Sequence, residues 1–188
     1  MTARADGLVA ELRDAIRDVP DFPRPGVVFK DITPLLANAA AFAGCVDAIA
    51  QRFADAAVDK VIGIEARGFI VAAPVAHRLG AGFVPVRKAG KLPWRVATEQ
   101  YTLEYGTDSL EVHVDAFTAG ERVLIVDDVL ATGGTAAATT RLVARLGATA
   151  VGFACIIELG FLGGRQRLSE RPDGKAGGLE TVSLITYE

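Results

Sequence analysis

Short apolar runs alternate with amphipathic stretches along this chain. Residues 61–64, 83–86, 123–126, 151–157 and 181–187 are too short for helices and rich in β-branched residues, and they read as strands, most of them buried. Between them the spacing turns helical. Leu8, Leu12 and Ile16 predict a helix over 7–19, with Asp6 as N-cap and Pro20 near its end. Phe42, Val46, Ile49 and Phe53 predict a second from Asn38, its cap, to about Ala57. A third follows Gly68 to about Arg78, with Pro74 predicting a kink or a late start. A fourth covers 136–146, with Leu142, Val143 and Leu146 on one face and Gly147 as its stop. Residues 20–26, with three prolines, read as stiff and extended, and 27–34 as a short strand and turn. Residues 109–114 alternate and predict another strand, and 161–178 a short helix and a polar loop. Alternating strands and helices predict an α/β fold: a doubly wound, mostly parallel sheet flanked by helices.

Polar residues cluster where these strands end: 65–68, 87–91 and 127–135. In open parallel sheets ligands bind beyond the carboxyl ends of the strands. The third cluster is the most informative. After the apolar run come Asp127 and Asp128, then Ala131, Thr132, Gly133, Gly134 and Thr135, then a helix. The glycines let the main chain approach a ligand, and amides at a helix N-terminus bind phosphate. Two carboxylates repel phosphate but accept strongly from sugar hydroxyls. The stretch therefore describes a ribose 5-phosphate. Alone, an Asp-Asp pair is also what an ordinary solvated turn contains. The P-loop pattern fails, because Pro85 and Leu92 stand where its glycine and Ser/Thr would be around Gly90-Lys91, and no dinucleotide glycine fingerprint follows a strand.

Composition narrows the picture. A chain of 188 residues, 51% hydrophobic and 23% charged, fits one globular domain. A net charge of −3 offers no overall basic field for nucleic acid. No apolar run reaches the length of a membrane span and no leader pattern opens the chain, so a soluble, cytoplasmic protein is expected. Cys45 and Cys155 sit in apolar surroundings and read as free thiols, with a disulfide left open. His77 reads as a surface residue and His113 as an outward-facing strand residue. Residues 92–107 show no clear period and hold Trp94, Tyr101, Glu104 and Tyr105; they read as a mobile lid with room for a hairpin.

The run Val-Asp-Asp-Val-Leu-Ala-Thr-Gly-Gly-Thr at 126–135 closely resembles the phosphoribosyl-diphosphate (PRPP) loop of the type I phosphoribosyltransferases. Further stretches resemble the adenine-specific branch: Asp-Phe-Pro-Arg-Pro-Gly-Val-Val-Phe-Lys-Asp-Ile-Thr-Pro at 21–34, Ala-Arg-Gly-Phe at 66–69, Arg-Lys-Ala-Gly-Lys-Leu-Pro at 87–93, Tyr-Thr-Leu-Glu-Tyr-Gly at 101–106, and Glu158-Leu159. The resemblance spans roughly residues 8–187 and departs from the usual pattern at Glu65, Ala66 and Ala89.

It implies one phosphoribosyltransferase domain with an N-terminal hood (about 1–36) and a lid (about 89–108), acting in purine salvage. Adenine and PRPP would give AMP and diphosphate with Mg²⁺. Ala131, Thr132, Gly133, Gly134 and Thr135 would hold the phosphate, and Asp127 and Asp128 the ribose. Arg67, Gly68, Arg87, Lys88 and Lys91 would hold the diphosphate, some of the basic residues reaching across a homodimer. Val28, Phe29, Lys30 and Leu159 would hold adenine. Glu104 and Arg67 would be catalytic. No metal cage of protein groups alone is expected; Mg²⁺ would be held through diphosphate and ribose. Two alternatives remain: another base, such as hypoxanthine, guanine, xanthine or orotate, or a PRPP-sensing regulator without enzymatic activity.

Overall fold

The structure, a computed structural model, describes residues 2–102, 107–170, 173 and 178–188. It divides into two compact units, Met1–Ala48 and Ile49–Glu188.

The first unit holds α1 (Thr2–Asp14), β1 (Arg17–Pro20), β2 (Val28–Asp31), α2 (Thr33–Ala37) and most of α3 (Ala39–Arg52). The helix expected over 7–19 starts earlier and stops at Asp14, because Arg17–Pro20 pairs antiparallel with Val28–Asp31 instead. Lys30 and Asp18 bridge that ribbon at 2.7 Å, and Phe22 meets Phe29 edge to face at 5.2 Å. The turn is tied by the Gly26 amide donating to Asp21. Asn38 caps α3 as expected, its Oδ1 accepting from the amides of Ala40 and Ala41. That helix ends at Arg52 rather than near Ala57, whose φ is +47°.

The second unit is built on a seven-stranded sheet. In chain order its elements are β3 (Lys60–Ile64), α4 (Gly68–Leu79), β4 (Gly82–Lys88), β5 (Val96–Thr102), β6 (Thr107–His113), β7 (Arg122–Leu130), α5 (Gly134–Arg145), β8 (Thr149–Leu159), a 3-10 turn (Gly160–Leu162), α6 (Gly164–Ser169) and β9 (Thr181–Tyr187). The strand order is β5-β6-β4-β3-β7-β8-β9. From β4 to β9 the strands are parallel; β5 and β6 add an antiparallel edge. The α/β reading, with its mostly parallel sheet, holds.

The chain leaves β3 for β4 on one side and β7 for β8 on the other. With right-handed crossovers this puts α4 and α5 on opposite faces. Ile62 and Ile64 join the core beneath Ala136, Leu142 and Val143 of α5, while Gly63 lies against Ala72 of α4. Helix α4 starts at Gly68 and runs past Pro74, so the expected late start does not occur. Within the stretch expected as a lid, 96–102 is a strand, and the strand expected at 109–114 is β6, Thr107–His113. Glu99 of β5 ties them to α5, accepting from Arg141 at 2.6 Å and Arg145 at 3.1 Å. His77 is exposed; His113 is half-buried beside the indole of Trp94. Both cysteines are free and buried, and burial pushes the Cys45 thiol up to about 12. No described helix is long and apolar enough to cross a membrane.

Gly152 on β8 leaves the space that the Phe53 ring fills, and a Cβ there would overlap it. Gly152→Val should therefore lower unfolding free energy by about 1–3 kcal/mol through overpacking. Urea titration checks this; unchanged stability would mean that the ring has room to move aside.

Candidate active site

β7 is longer than the apolar run suggested. It continues through Asp127 and Asp128 to Leu130, paired with β8 along its length, whereas its pairing with β3 stops at Val126. The two acids thus stand on an overhang, one edge bonded and the other open. Asp128 is buried and Asp127 half-buried. Gly68, at the start of α4, closes part of the gap: a Cβ there would lie 2.7 Å from Asp127 Oδ1 and 3.2 Å from the Val126 carbonyl. Only glycine allows that approach.

From Leu130 the chain turns through Ala131, Thr132 and Gly133 into α5. Gly133 is the N-cap with φ +74°, and no side chain caps the helix. The first-turn amides therefore have neither an intrahelical acceptor nor a capping side chain. They carry the positive end of a helix dipole. A cavity of about 80 Å³ lies here, lined by Asp127, Ala131, Thr132, Gly133, Thr135 and Ala136. Tyr101 of β5 donates to Asp108 Oδ2 at 3.2 Å.

Each expected diphosphate cation has a carboxylate partner. Arg67 Nε lies 2.8 Å from Asp128 Oδ2, and Lys88 Nζ lies 3.3 Å from Asp108 Oδ2. Arg87 Nε is 3.1 Å from Glu65 Oε2, and Lys91 pairs with the other Glu65 oxygen. The Lys88 amide also donates to Glu65. Burial alone would raise the Glu65 pKa; the bonds from Lys91, the Lys88 amide and Arg87 outweigh it and hold the carboxyl below its usual range.

Asp127 goes the other way. Burial, then the neighbouring Asp128 charge, push its carboxyl well above the usual range, although the Asp128 amide, bonded at 2.9 Å, and Arg67 oppose the shift. Among the described residues no group of three or more His, Cys, Asp or Glu gathers to hold a metal. Asp128 Oδ2 is buried and meets Arg67 Nε at 2.8 Å without hydrogen-bond geometry, so a hydroxyl or a hydrated cation at this oxygen would have to share it with the guanidinium or displace it.

Val28, Phe29 and Lys30 lie on β2 in the first unit, with Val28 exposed and the other two half-buried. Leu159 ends β8 in the second. Glu104 falls outside the described residues. Sequence reasoning did not single out Asp108, which meets Tyr101 and Lys88, or Arg165, which meets Glu158 and the Thr181 carbonyl, because these pairs form across neighbouring elements.

The phosphoribosyl transferase domain model matches residues 31–176. A protein of Acidothermus cellulolyticus named adenine phosphoribosyltransferase is 65% identical over 153 residues, covering 81% of this chain and 86% of its own. The chain belongs to the adenine phosphoribosyltransferase family. A crystal structure of the adenine phosphoribosyltransferase of Rhodothermus marinus is 48% identical with a TM-score of 0.89, covering 97% of this chain and 99% of that one. That of Saccharomyces cerevisiae, complexed with an imino-altritol bisphosphate and adenine, is 38% identical with a TM-score of 0.87, covering 96% and 99%. These family members share the whole architecture described above.

A carboxyl whose folded pKa is raised gives stability that is complete below the unfolded pKa and lost as pH rises through the folded one. At pH 7 an ionised Asp127 is thus a cost to the fold. Asp127→Asn should raise the melting temperature at pH 7, and the gain should vanish below pH 4, where the wild-type carboxyl is neutral too. Equal melting at pH 7 would contradict the raised pKa.

Proposed function

We propose that this chain transfers the 5-phosphoribosyl group from PRPP to adenine, giving AMP and diphosphate, as a purine-salvage enzyme. The observation that carries the proposal is the acid pair on the β7 overhang, beside an uncapped helix N-terminus. The α5 amides and the Thr132 and Thr135 hydroxyls would take the 5-phosphate. Asp127 and Asp128 would accept from the ribose hydroxyls. Arg67, Arg87, Lys88 and Lys91, with the Gly68 main chain, would bind the diphosphate by exchanging carboxylate partners for phosphate oxygens.

A ring nitrogen of adenine then bonds to C1 of the ribose as the C1–diphosphate oxygen bond breaks. The carbon passes through an oxocarbenium-like state, by analogy with glycosyl transfer. The cations stabilise the charge on the leaving oxygen. The nitrogen's proton must leave, and Glu104 is our candidate to handle it. Phe29 would stack on the base, with main-chain groups of Val28 and Lys30 reading its edge. Mg²⁺ would be held through diphosphate and ribose oxygens, with Asp127 and Asp128 on the ribose hydroxyls, and would neutralise diphosphate charge. We also propose a homodimer. Two free buried thiols are in keeping with a reducing, cytoplasmic setting.

Turnover of adenine, hypoxanthine, guanine, xanthine and orotate with PRPP and Mg²⁺ tests the reading. Adenine alone should give nucleotide; preferred use of another base would reassign the substrate, and tight duplex-DNA binding without turnover would favour a regulator. Replacing both Asp127 and Asp128 by Asn should weaken PRPP sharply, since each lost charged hydrogen bond costs about 1.5–3 kcal/mol. Unchanged PRPP affinity would remove the ribose assignment. Glu104→Ala should slow turnover by about 10²–10⁴-fold; a wild-type rate would rule out its proton role.

A further inference from the structure

The turn before α6 lies directly behind the loop that opens α5. A Cβ at Gly133 would come within 2.9 Å of the Gly164 carbonyl oxygen, and one at Gly164 would overlap the Ala131 carbonyl oxygen. Each glycine is therefore required by the backbone of the other segment. Arg167, one turn further, donates from NH1 to the Thr132 carbonyl at 3.5 Å. It has no carboxylate within ion-pair distance among the described residues.

The segment behind the loop is itself held firmly. Arg165 donates from Nε to Glu158 at 2.8 Å and from NH1 to the Thr181 carbonyl at 2.7 Å, with Ser183 as a further partner. Those partners lie on β8 and β9. Leu168 is fully buried in the core that also contains Ala136 and Ala137 of α5.

We propose that Gly164 and Arg167 are positioning residues for the phosphate loop, forming its rear wall. The peptide joining Thr132 to Gly133 is planar and trans, so its carbonyl and its N–H point opposite ways. A cation on the carbonyl side holds the Gly133 N–H facing away from it, toward the cavity. It also polarises the amide and adds positive potential behind a site whose other cations are paired. The Gly133–Gly164 contact prevents the loop from retreating when an anion is absent, so its amides are preorganised. Glu158 and Arg165 anchor the wall to the sheet. The proposal rests on reading 131–135 as the phosphate cradle and deepens it.

Ribose 5-phosphate is the probe, since it carries the phosphate and the sugar but no base or diphosphate. Calorimetric titration of the full chain should show Gly164→Ala weakening it by about tenfold or more. Arg167→Gln should weaken it by roughly threefold, a helix-terminus-sized electrostatic effect, with Arg167→Lys restoring most of the loss. Steady-state kinetics should show the loss in KM for PRPP, with KM for adenine and kcat little changed.

Melting temperature reports whether each variant folds. If Gly164→Ala does not fold, the Arg167 pair decides alone. Folded variants that bind ribose 5-phosphate as the wild type does would overturn the proposal, and so would equal losses for Arg167→Gln and Arg167→Lys. Gly134→Val in the same titration separates the two levels. Wild-type affinity in that variant removes the cradle itself and this proposal with it, whereas a loss there with none at Gly164 and Arg167 removes the rear wall alone.

Discussion

Because β7 extends past the end of its pairing with β3, one strand edge faces open space at Asp127 and Asp128 while its other edge stays bonded to β8. A few residues later the same chain starts α5 without a side-chain cap. Two acceptors and a set of amide donors are thereby fixed on one continuous piece of backbone. Their separation is set by the short turn at 131–133, which packs against Gly164. Much else in the second unit follows from keeping that piece open and rigid: Gly68 approaching Asp127, Gly133 and Gly164 in mutual contact, and Glu99 tying the edge strands to α5.

The basic residues around this piece of backbone each meet a carboxylate. Glu65, Asp108 and Asp128 pair with Arg87, Lys91, Lys88 and Arg67. A net charge of −3 suits this, since the cations are local and each meets a carboxylate, with Arg87 and Lys91 sharing Glu65. On our reading, a diphosphate must compete with carboxylates already in place, which favours a polyanion over a single phosphate. Asp127, held above the usual carboxylate range, is the complementary cost: a group kept where the fold alone would not want it.

The sheet and its main helices were legible because apolar runs and 3.6-residue spacing are local signals. Residues 126–135 were legible for the same reason: an apolar strand, two acids and two glycines sit in sequence order. Other features had no such signal. Arg17–Pro20 looked like the tail of a helix because Ile16 continues its stripe; pairing with Val28–Asp31 decided otherwise. The polar Asp-Asp pair hid the last part of β7, which only its register with β8 reveals. Glu65 read as a strand-end residue until Arg87 and Lys91 came to it from more than twenty positions away. The roles of Gly164 and Arg167 depend on contacts to residues more than thirty positions earlier, which no local pattern records.

A crystal structure of the chain grown with AMP and free of other phosphates is the most direct test of the whole account. It should show the phosphate on the amides of residues 131–135 and the ribose hydroxyls on Asp127 and Asp128. A nucleotide seated elsewhere, or one whose sugar turns away from the acid pair, would contradict it.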